Sequence, residues 1–326
     1  LEKPKIVSLS PFPAGVIQFL ISPYLGGREV EIVTPEKTDE EYLAELIKDA
    51  DILIGDFTFN IPITKNILRK ATKLKLIQQP TVGYQHIDIK GARELNIPVA
   101  NTAGANDISV AEHTIMLALA LLKKLFYAHQ KTKEGKWAQI EMFDMGVFEL
   151  YQKTWGIIGM GKIGKEVAKR LNAFSTNILY YDKIQLPEEK EEELNAKFRP
   201  LEKLLRESDI VSLHLPLTEE TKNLISEKEI NLMKPSAYLI NVSRGELVDE
   251  EALSKALKQK RISGAGIDVF SEEPISPSCP LLSAPNVILT PHIAGATNES
   301  RNRIIQKTVE NVVRVLNGEN PIDVVN

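Results

Sequence analysis

The sequence predicts an α/β protein made of two doubly wound parallel-sheet domains, and three observations carry that prediction. Short β-rich runs alternate with helical stretches from one end of the chain to the other. The alternation comes in two series, separated by a long apolar helix and a glycine-rich turn. A chain of 326 residues also exceeds the usual reach of one hydrophobic core, so two domains are the economical arrangement.

The first series reads as strands at Lys5–Leu9, Val30–Thr34, Asp51–Gly55, Lys75–Gln79 and Pro98–Thr102, with helices such as Asp39–Lys48 and Thr64–Ala71 between them. The second reads as Trp155–Ile158, Asn177–Tyr181, Asp209–Leu215, Ala237–Val242, Gly264–Phe270 and Asn286–Leu289. Strands regularly alternating with helices imply βαβ units, hence parallel sheets covered on both faces. Between the series, Ser109-Val-Ala-Glu112 reads as a capping box opening a buried helix. Its apolar run, Ile115–Leu122, is far short of the roughly 20 residues that cross a bilayer. The last helix, about Asn298–Leu316, follows the final strand, and sequence alone leaves open which domain it packs on. Glu188–Glu193 reads as a solvated helix face.

Composition narrows the partners. With 43% hydrophobic residues, 26% charged and a net charge of −4, the chain reads as soluble and globular. Neither nucleic acid nor an anionic membrane is an expected partner, since both favour a basic face. Cys279 is the single cysteine, so no intrachain disulfide can form. The N-terminus lacks a basic region leading into a long apolar core. A cytoplasmic location is therefore the expectation. No pair of histidines has metal-ligand spacing with a third ligand beside it, so no metal is expected. His113, inside the buried helix, reads as structural; His129 reads as solvated, and His86 lies in a turn of the first domain.

Gly156-Ile-Ile-Gly159-Met-Gly161-Lys162-Ile163-Gly164 contains G-x-G-x-x-G at positions 159, 161 and 164. A β run precedes it, and Ile163, Val167 and Leu171 follow at helical spacing. In that context the glycines allow a tight turn, close backbone approach to a pyrophosphate, and close helix–strand packing. The helix start at Lys162 and Ile163 then turns its N–H groups toward the negative phosphates. An acid about 20 residues on completes the pattern, and Asp182 supplies it at the end of Asn177–Tyr181. A carboxylate there accepts hydrogen bonds from a ribose diol and repels a 2′-phosphate, which favours NAD over NADP. The adjacent Lys183 pulls the other way.

In doubly wound sheets ligands bind beyond the carboxyl ends of the strands. The residues found there in the second series are Pro216-Leu217-Thr218, Ser243-Arg244-Gly245, Ser271-Glu272-Glu273-Pro274 and Thr290-Pro291-His292. An arginine, a glutamate and a histidine thus share the rim with the glycine loop, and together they suit one chemistry. A guanidinium grips the carboxylate of a 2-keto acid in a bidentate fork. Hydride arriving at the keto carbon leaves an alkoxide that an imidazolium can protonate. A glutamate beside the imidazole orients it and favours its charged form.

These residues resemble the D-isomer-specific 2-hydroxyacid dehydrogenase family. The likeness runs from about Thr81 to Thr297, about two thirds of the chain. It rests on Gly156–Gly164, His214–Ile225, Asn241–Glu250, Gly264–Phe270 and Thr290–Gly295. The resemblance implies that Arg244 binds substrate, that Glu273, directly before Pro274, pairs with the histidine, and that His292 is the acid/base. It further implies that Asp268 contacts the nicotinamide carboxamide. Gly159, Gly161, Lys162, Ile163, Gly164, Asp182, Leu215, Pro216, Val242 and Ser243 are expected to line the cofactor. The backbone N–H groups of Val82 and Gly83 are expected to meet the substrate carboxylate. By the same resemblance a flavodoxin-like substrate domain (residues 1–103 and 296–326) accompanies a Rossmann NAD-binding domain (residues 104–295), with the cleft between them as the active site. Ala103 stands where the family pattern has proline, and Gln85 where an acidic or amide residue is common.

The expected reaction is reversible reduction of a small 2-keto acid by NADH. Formate- or phosphite-oxidising relatives of the same fold are the alternative within enzymology, although formate oxidation has no need of the Glu–His pair. An NAD-switched corepressor is the alternative outside it. The apolar segment Gly135–Phe148 is expected to be an arm embracing a second subunit, making a homodimer. Asp56-Phe57-Thr58-Phe59-Asn60, at a strand end of the first domain, offers aromatics and an acid that would repel phosphate. A small or apolar keto acid is therefore expected to outperform 3-phosphohydroxypyruvate.

Overall fold

A computed structural model describes residues 3–326 of the protein. The chain forms two compact units, Leu1–Asn106 with Asn298–Asn326, and Asp107–Thr297.

The first unit runs β1 (Lys5–Ser8), α1 (Ala14–Ile21), β2 (Glu31–Val33), α2 (Glu40–Leu46), β3 (Ile52–Ile54), α3 (Lys65–Lys70), β4 (Leu76–Gln78), α4 (Ile89–Glu94) and β5 (Val99–Ala100). Its strands are parallel in the order β2-β1-β3-β4-β5, the flavodoxin-like arrangement. Caps start its helices: Asp39 accepts the Tyr42 N–H, and Thr64 accepts the Ile67 N–H. Successive strand residues point to opposite faces, and both faces are apolar because both are covered. Val7, Leu53 and Ile77 pack with Leu43 and Ile67 on one side. Ile6, Ile52 and Leu76 pack on the other with Val309 and Val312. Those two valines come from the terminal helix, which is thereby placed on the first sheet.

The second unit begins with α5 (Asp107–Leu122), α6 (Leu125–Lys133) and α7 (Gln139–Asp144). Then follow β6 (Thr154–Ile158), α8 (Lys162–Asn172), β7 (Asn177–Tyr181), α9 (Glu188–Leu194), β8 (Ala196–Phe198) and α10 (Leu201–Glu207). It ends with β9 (Ile210–Leu213), α11 (Glu227–Ile230), β10 (Tyr238–Asn241), α12 (Glu250–Lys258), β11 (Gly264–Ile267) and β12 (Val287–Leu289), before α13 (Asn298–Leu316) returns to the first unit. The parallel strand order is β12-β11-β10-β9-β6-β7-β8. The order reverses between β6 and β9, which is where an open α/β sheet leaves a crevice for ligand.

Two readings of the sequence are corrected. α5 opens at Asp107, so Ser109 sits inside its first turn and is not the N-cap of a capping box. The Ser109 hydroxyl instead meets the Thr297 hydroxyl at 2.8 Å, and the acid of Asp107 suits the helix start. The second sheet also has a strand, β8, that alternation missed; at three residues with a central lysine it is too short to show a period. Among the described residues no helix is long and apolar enough to cross a membrane.

Candidate active site

The glycine loop joins β6 to α8. Gly159 has φ +97°, and a β-carbon there would lie 2.6 Å from the His214 carbonyl oxygen. A β-carbon at Gly164 would lie 2.2 Å from the Gly159 oxygen, so helix and turn meet only because both residues lack side chains. A β-carbon at Gly161 would meet nothing within 4 Å; that side of the loop is open backbone, the surface a pyrophosphate needs. Asp182, one residue past β7, accepts the Met160 N–H at 2.8 Å and so ties the loop to the next strand. Lys183 beside it is ion-paired to Glu220 at the surface. These residues fit a dinucleotide.

Because β9, β10, β11 and β12 are neighbours in one parallel sheet, the loops after them open side by side. Leu215 and Pro216 follow β9, and the Leu215 carbonyl accepts the Ser243 hydroxyl. At the end of β10, Asn241 accepts the Ser243 N–H at 3.1 Å and donates to the Arg244 carbonyl at 2.8 Å, shaping the turn through Val242 that carries the arginine. Next to it, a β-carbon on Gly245 would lie 1.9 Å from the Phe270 carbonyl carbon. That absence lets the arginine turn pack directly on the loop after β11. Asn241 and Gly245 fell within the family likeness but had no role of their own there, since an amide ending a strand and a glycine in the turn after it are ordinary residues.

The loop after β11 leads to Glu273, whose carboxylate accepts the Phe270 N–H at 2.9 Å and the Nδ1–H of His292 at 2.6 Å. Each carboxylate oxygen thus has its own donor, and the imidazole turns its Nε2 outward. Burial pushes the Glu273 carboxyl up, but His292, the Phe270 N–H and Arg244 outweigh it and hold it below the ordinary range. Burial lowers Arg244, with Glu273 and Glu246 opposing. Glu272 has no such link to His292.

His292 itself has φ +52°, a left-handed backbone that costs a non-glycine residue about 1–2 kcal/mol. Asp268 holds it there. The Asp268 carbonyl accepts the His292 N–H at 2.7 Å. Its fully buried carboxylate accepts the N–H groups of Ile293 at 3.0 Å and Ala294 at 2.8 Å, and the Thr290 hydroxyl at 2.5 Å. The resemblance places Asp268 against nicotinamide; its visible contacts are with the loop that carries His292.

In the first unit, Asn101 donates to the Val82 carbonyl and Thr81 to the Gly83 carbonyl, both at 2.8 Å, fixing how those two peptide groups face. Asp56 does not present its charge to a ligand, as its sequence position suggested. It is 1% exposed, and its carboxylate accepts the N–H groups of Thr58, Asn60 and Ile61 and the Thr58 hydroxyl. Phe57 lies tilted against Phe12, and Phe59 meets the His86 ring edge-on. Among the described residues no three His, Cys, Asp or Glu side chains gather where they could hold a metal ion.

A family model for the NAD-binding domain of D-isomer specific 2-hydroxyacid dehydrogenases matches residues 115–294. The chain belongs to that family. A glyoxylate reductase of Korarchaeum cryptofilum is 44% identical over 289 residues, 88% of this chain and 86% of its own. One from Thermococcus litoralis is 39% identical over 330 residues, 99% of this chain and 97% of its own. Among solved structures, an acyclic imino acid reductase in complex with NADPH and D-Arg superposes with a TM-score of 0.84 at 31% identity, covering 99% of this chain and 100% of that one. This dehydrogenase is therefore a nicotinamide-dependent oxidoreductase of 2-hydroxy acids.

Proposed function

We propose that this dehydrogenase reduces glyoxylate and similarly small 2-keto acids with NADH, with His292 as proton donor, Glu273 as its orienting partner and Arg244 as the substrate anchor. The observation that carries the reading is the 2.6 Å contact from His292 Nδ1 to Glu273, made beside the arginine turn. The names of the two relatives support the choice of glyoxylate. When bound, the nicotinamide supplies hydride to the keto carbon. The chain's own residues do the rest. Arg244 grips the carboxylate and orients the carbonyl. The carbonyl electron pair moves to oxygen, and the His292 Nε2 proton follows it there. Before the transfer the Glu273 carboxylate stabilises the imidazolium through Nδ1–H, and after it the imidazole is neutral with its proton on Nδ1.

The reading favours NADH over NADPH because Asp182 would accept from a ribose diol and repel a 2′-phosphate, while the neighbouring Lys183 is already ion-paired to Glu220. Residues around the glycine loop, from Lys162 and Ile163 to Leu215, Pro216, Val242 and Ser243, line the same crevice in this assignment. The test is NADH and NADPH oxidation with glyoxylate, hydroxypyruvate, pyruvate, phenylpyruvate and 3-phosphohydroxypyruvate. Highest kcat/KM with a small unphosphorylated acid and NADH supports the reading; preference for the phosphorylated acid, or no turnover with any, rejects it.

The same reading includes a homodimer. Trp137, Ile140 and Phe143, around α7, are 84%, 78% and 83% exposed. On the same unit, a groove of about 620 Å³ lies between α5 and α8, walled by Ile115, Met116, Leu119, Leu125 and Phe174. Apolar surface of this kind in an arm and a groove of one chain suits a second copy. Sedimentation as a monomer at micromolar concentration would remove this part of the proposal.

A further inference from the structure

We infer that His113 of α5 is a positioning residue for proton transfer, acting through Thr290 and Asp268 on the loop that holds His292. The inference rests on the reading of His292 as the acid/base. His113 Nε2 lies 3.2 Å from the Thr290 hydroxyl and 3.6 Å from Asp268 Oδ1, with its side chain 11% exposed and that of Asp268 0% exposed. The Thr290 hydroxyl has one proton, and it goes to Asp268 Oδ1 at 2.5 Å. The Thr290 oxygen can therefore only accept from His113, so the ring carries its proton on Nε2. Burial lowers the His113 pKa, with Asp268 opposing, in keeping with a neutral ring.

Direction follows from these bonds. α5 is a 16-residue helix packed against the sheet that carries the loop. From it the contacts run His113 to Thr290, Thr290 to Asp268, and Asp268 to the N–H groups of His292, Ile293 and Ala294. The left-handed backbone at His292 needs this clamp, because the residue would otherwise relax toward negative φ. With His113 gone, Thr290 and Asp268 lose the support of α5, and Nε2 of His292 drifts from the point where the substrate oxygen must meet it. The reaction step then slows, while binding sites made by other loops stay intact.

The experiment compares His113→Leu and His113→Gln in the full chain, measuring kcat and KM for glyoxylate, NADH affinity by quenching of protein fluorescence, and melting temperature. A glutamine amide reaches about as far as imidazole Nε2 and can donate to Thr290; leucine cannot. His113→Leu is expected to lower kcat about 10- to 100-fold, the range for a small misplacement of reacting groups, with KM and NADH affinity within about twofold. His113→Gln is expected to recover at least half of that loss on a logarithmic scale. Parental kcat in His113→Leu, or glutamine performing no better than leucine, overturns the inference. If His113→Leu does not fold, Thr290→Val removes the relay while keeping side-chain shape, and unchanged kcat there overturns it equally. His292→Ala separates the two readings: an inactive His292→Ala beside a fully active His113→Leu removes only the role of His113, whereas an active His292→Ala removes the acid/base assignment beneath it.

Discussion

Each unit places a buried aspartate just past the end of an interior strand, with a histidine near it, and the two pairs are used differently. Asp56, after β3, closes a loop on itself: its acceptors serve Thr58, Asn60 and Ile61, within five residues. His86 lies near it, its ring against Phe59 at 5.1 Å and neither ring nitrogen hydrogen-bonded to a described residue. Asp268, after β11, reaches to the loop after the neighbouring β12 and binds backbone more than twenty residues on, with His113 joined through Thr290. A carboxylate that bonds locally shapes its own turn. One that bonds across strands sets where another residue's side chain goes, and here that residue is His292.

Breaking both aspartates tests the contrast most strongly. Asp268→Ala is expected to cut kcat by about 10²-fold or more, since it frees the His292 loop. Asp56→Ala is expected to destabilise the first unit by about 1–3 kcal/mol, the cost of buried N–H groups left without an acceptor, with a much smaller change in kcat. Steady-state kinetics and denaturant melts of the two variants side by side check it; equal kcat losses would erase the distinction.

This contrast also marks how far the sequence could be read. Strand–helix alternation, the glycines at 159, 161 and 164, and the Arg–Glu–His series at successive strand ends were visible because each depends on local pattern. Parallel neighbours in the sheet then bring those ends together without further information. Asp56 was visible only as a charge, and Asp268 only through the family resemblance, which pointed it at the cofactor. Whether a carboxylate faces a ligand or its own backbone depends on a rotamer and a loop path, and for Asp56 the charge suggested the wrong one. His113 read only as structural, without partners, because Thr290 and Asp268 are far along the chain and a histidine in a buried helix has no period that betrays a bond.

Asp182 extends the comparison to a third carboxylate, one past a strand and tied to the Met160 N–H, with its charge near the proposed ribose site. Asp182→Ala is expected to narrow the preference for NADH over NADPH about tenfold, equivalent to about 1.4 kcal/mol. Ratios of kcat/KM for the two coenzymes measure it, and an unchanged ratio would mean that the carboxylate only braces the glycine loop.

The smallest expected effect concerns the histidines. Burial drives His214 down to about 3 and lowers His86 and His113, with Asp56 and Asp268 opposing in the last two. Their folded values lie below the 6.5 of a free imidazole, so the unfolded chain binds more protons as pH falls. Their contribution to stability is complete above that pH and is lost progressively below it, toward the folded values. The melting temperature should therefore drop by a few degrees between about pH 7 and pH 5, and less in His214→Gln, which keeps a donor for Ser212 without the titration. A flat profile in the parent would place charged imidazoles inside the fold.

The central claim, that His292 held on Glu273 delivers the proton, is met most directly by His292→Ala assayed for glyoxylate reduction with NADH. The account predicts that kcat falls about 10²–10⁴-fold while NADH affinity stays within about twofold. A His292→Ala enzyme with near-parental kcat would contradict it.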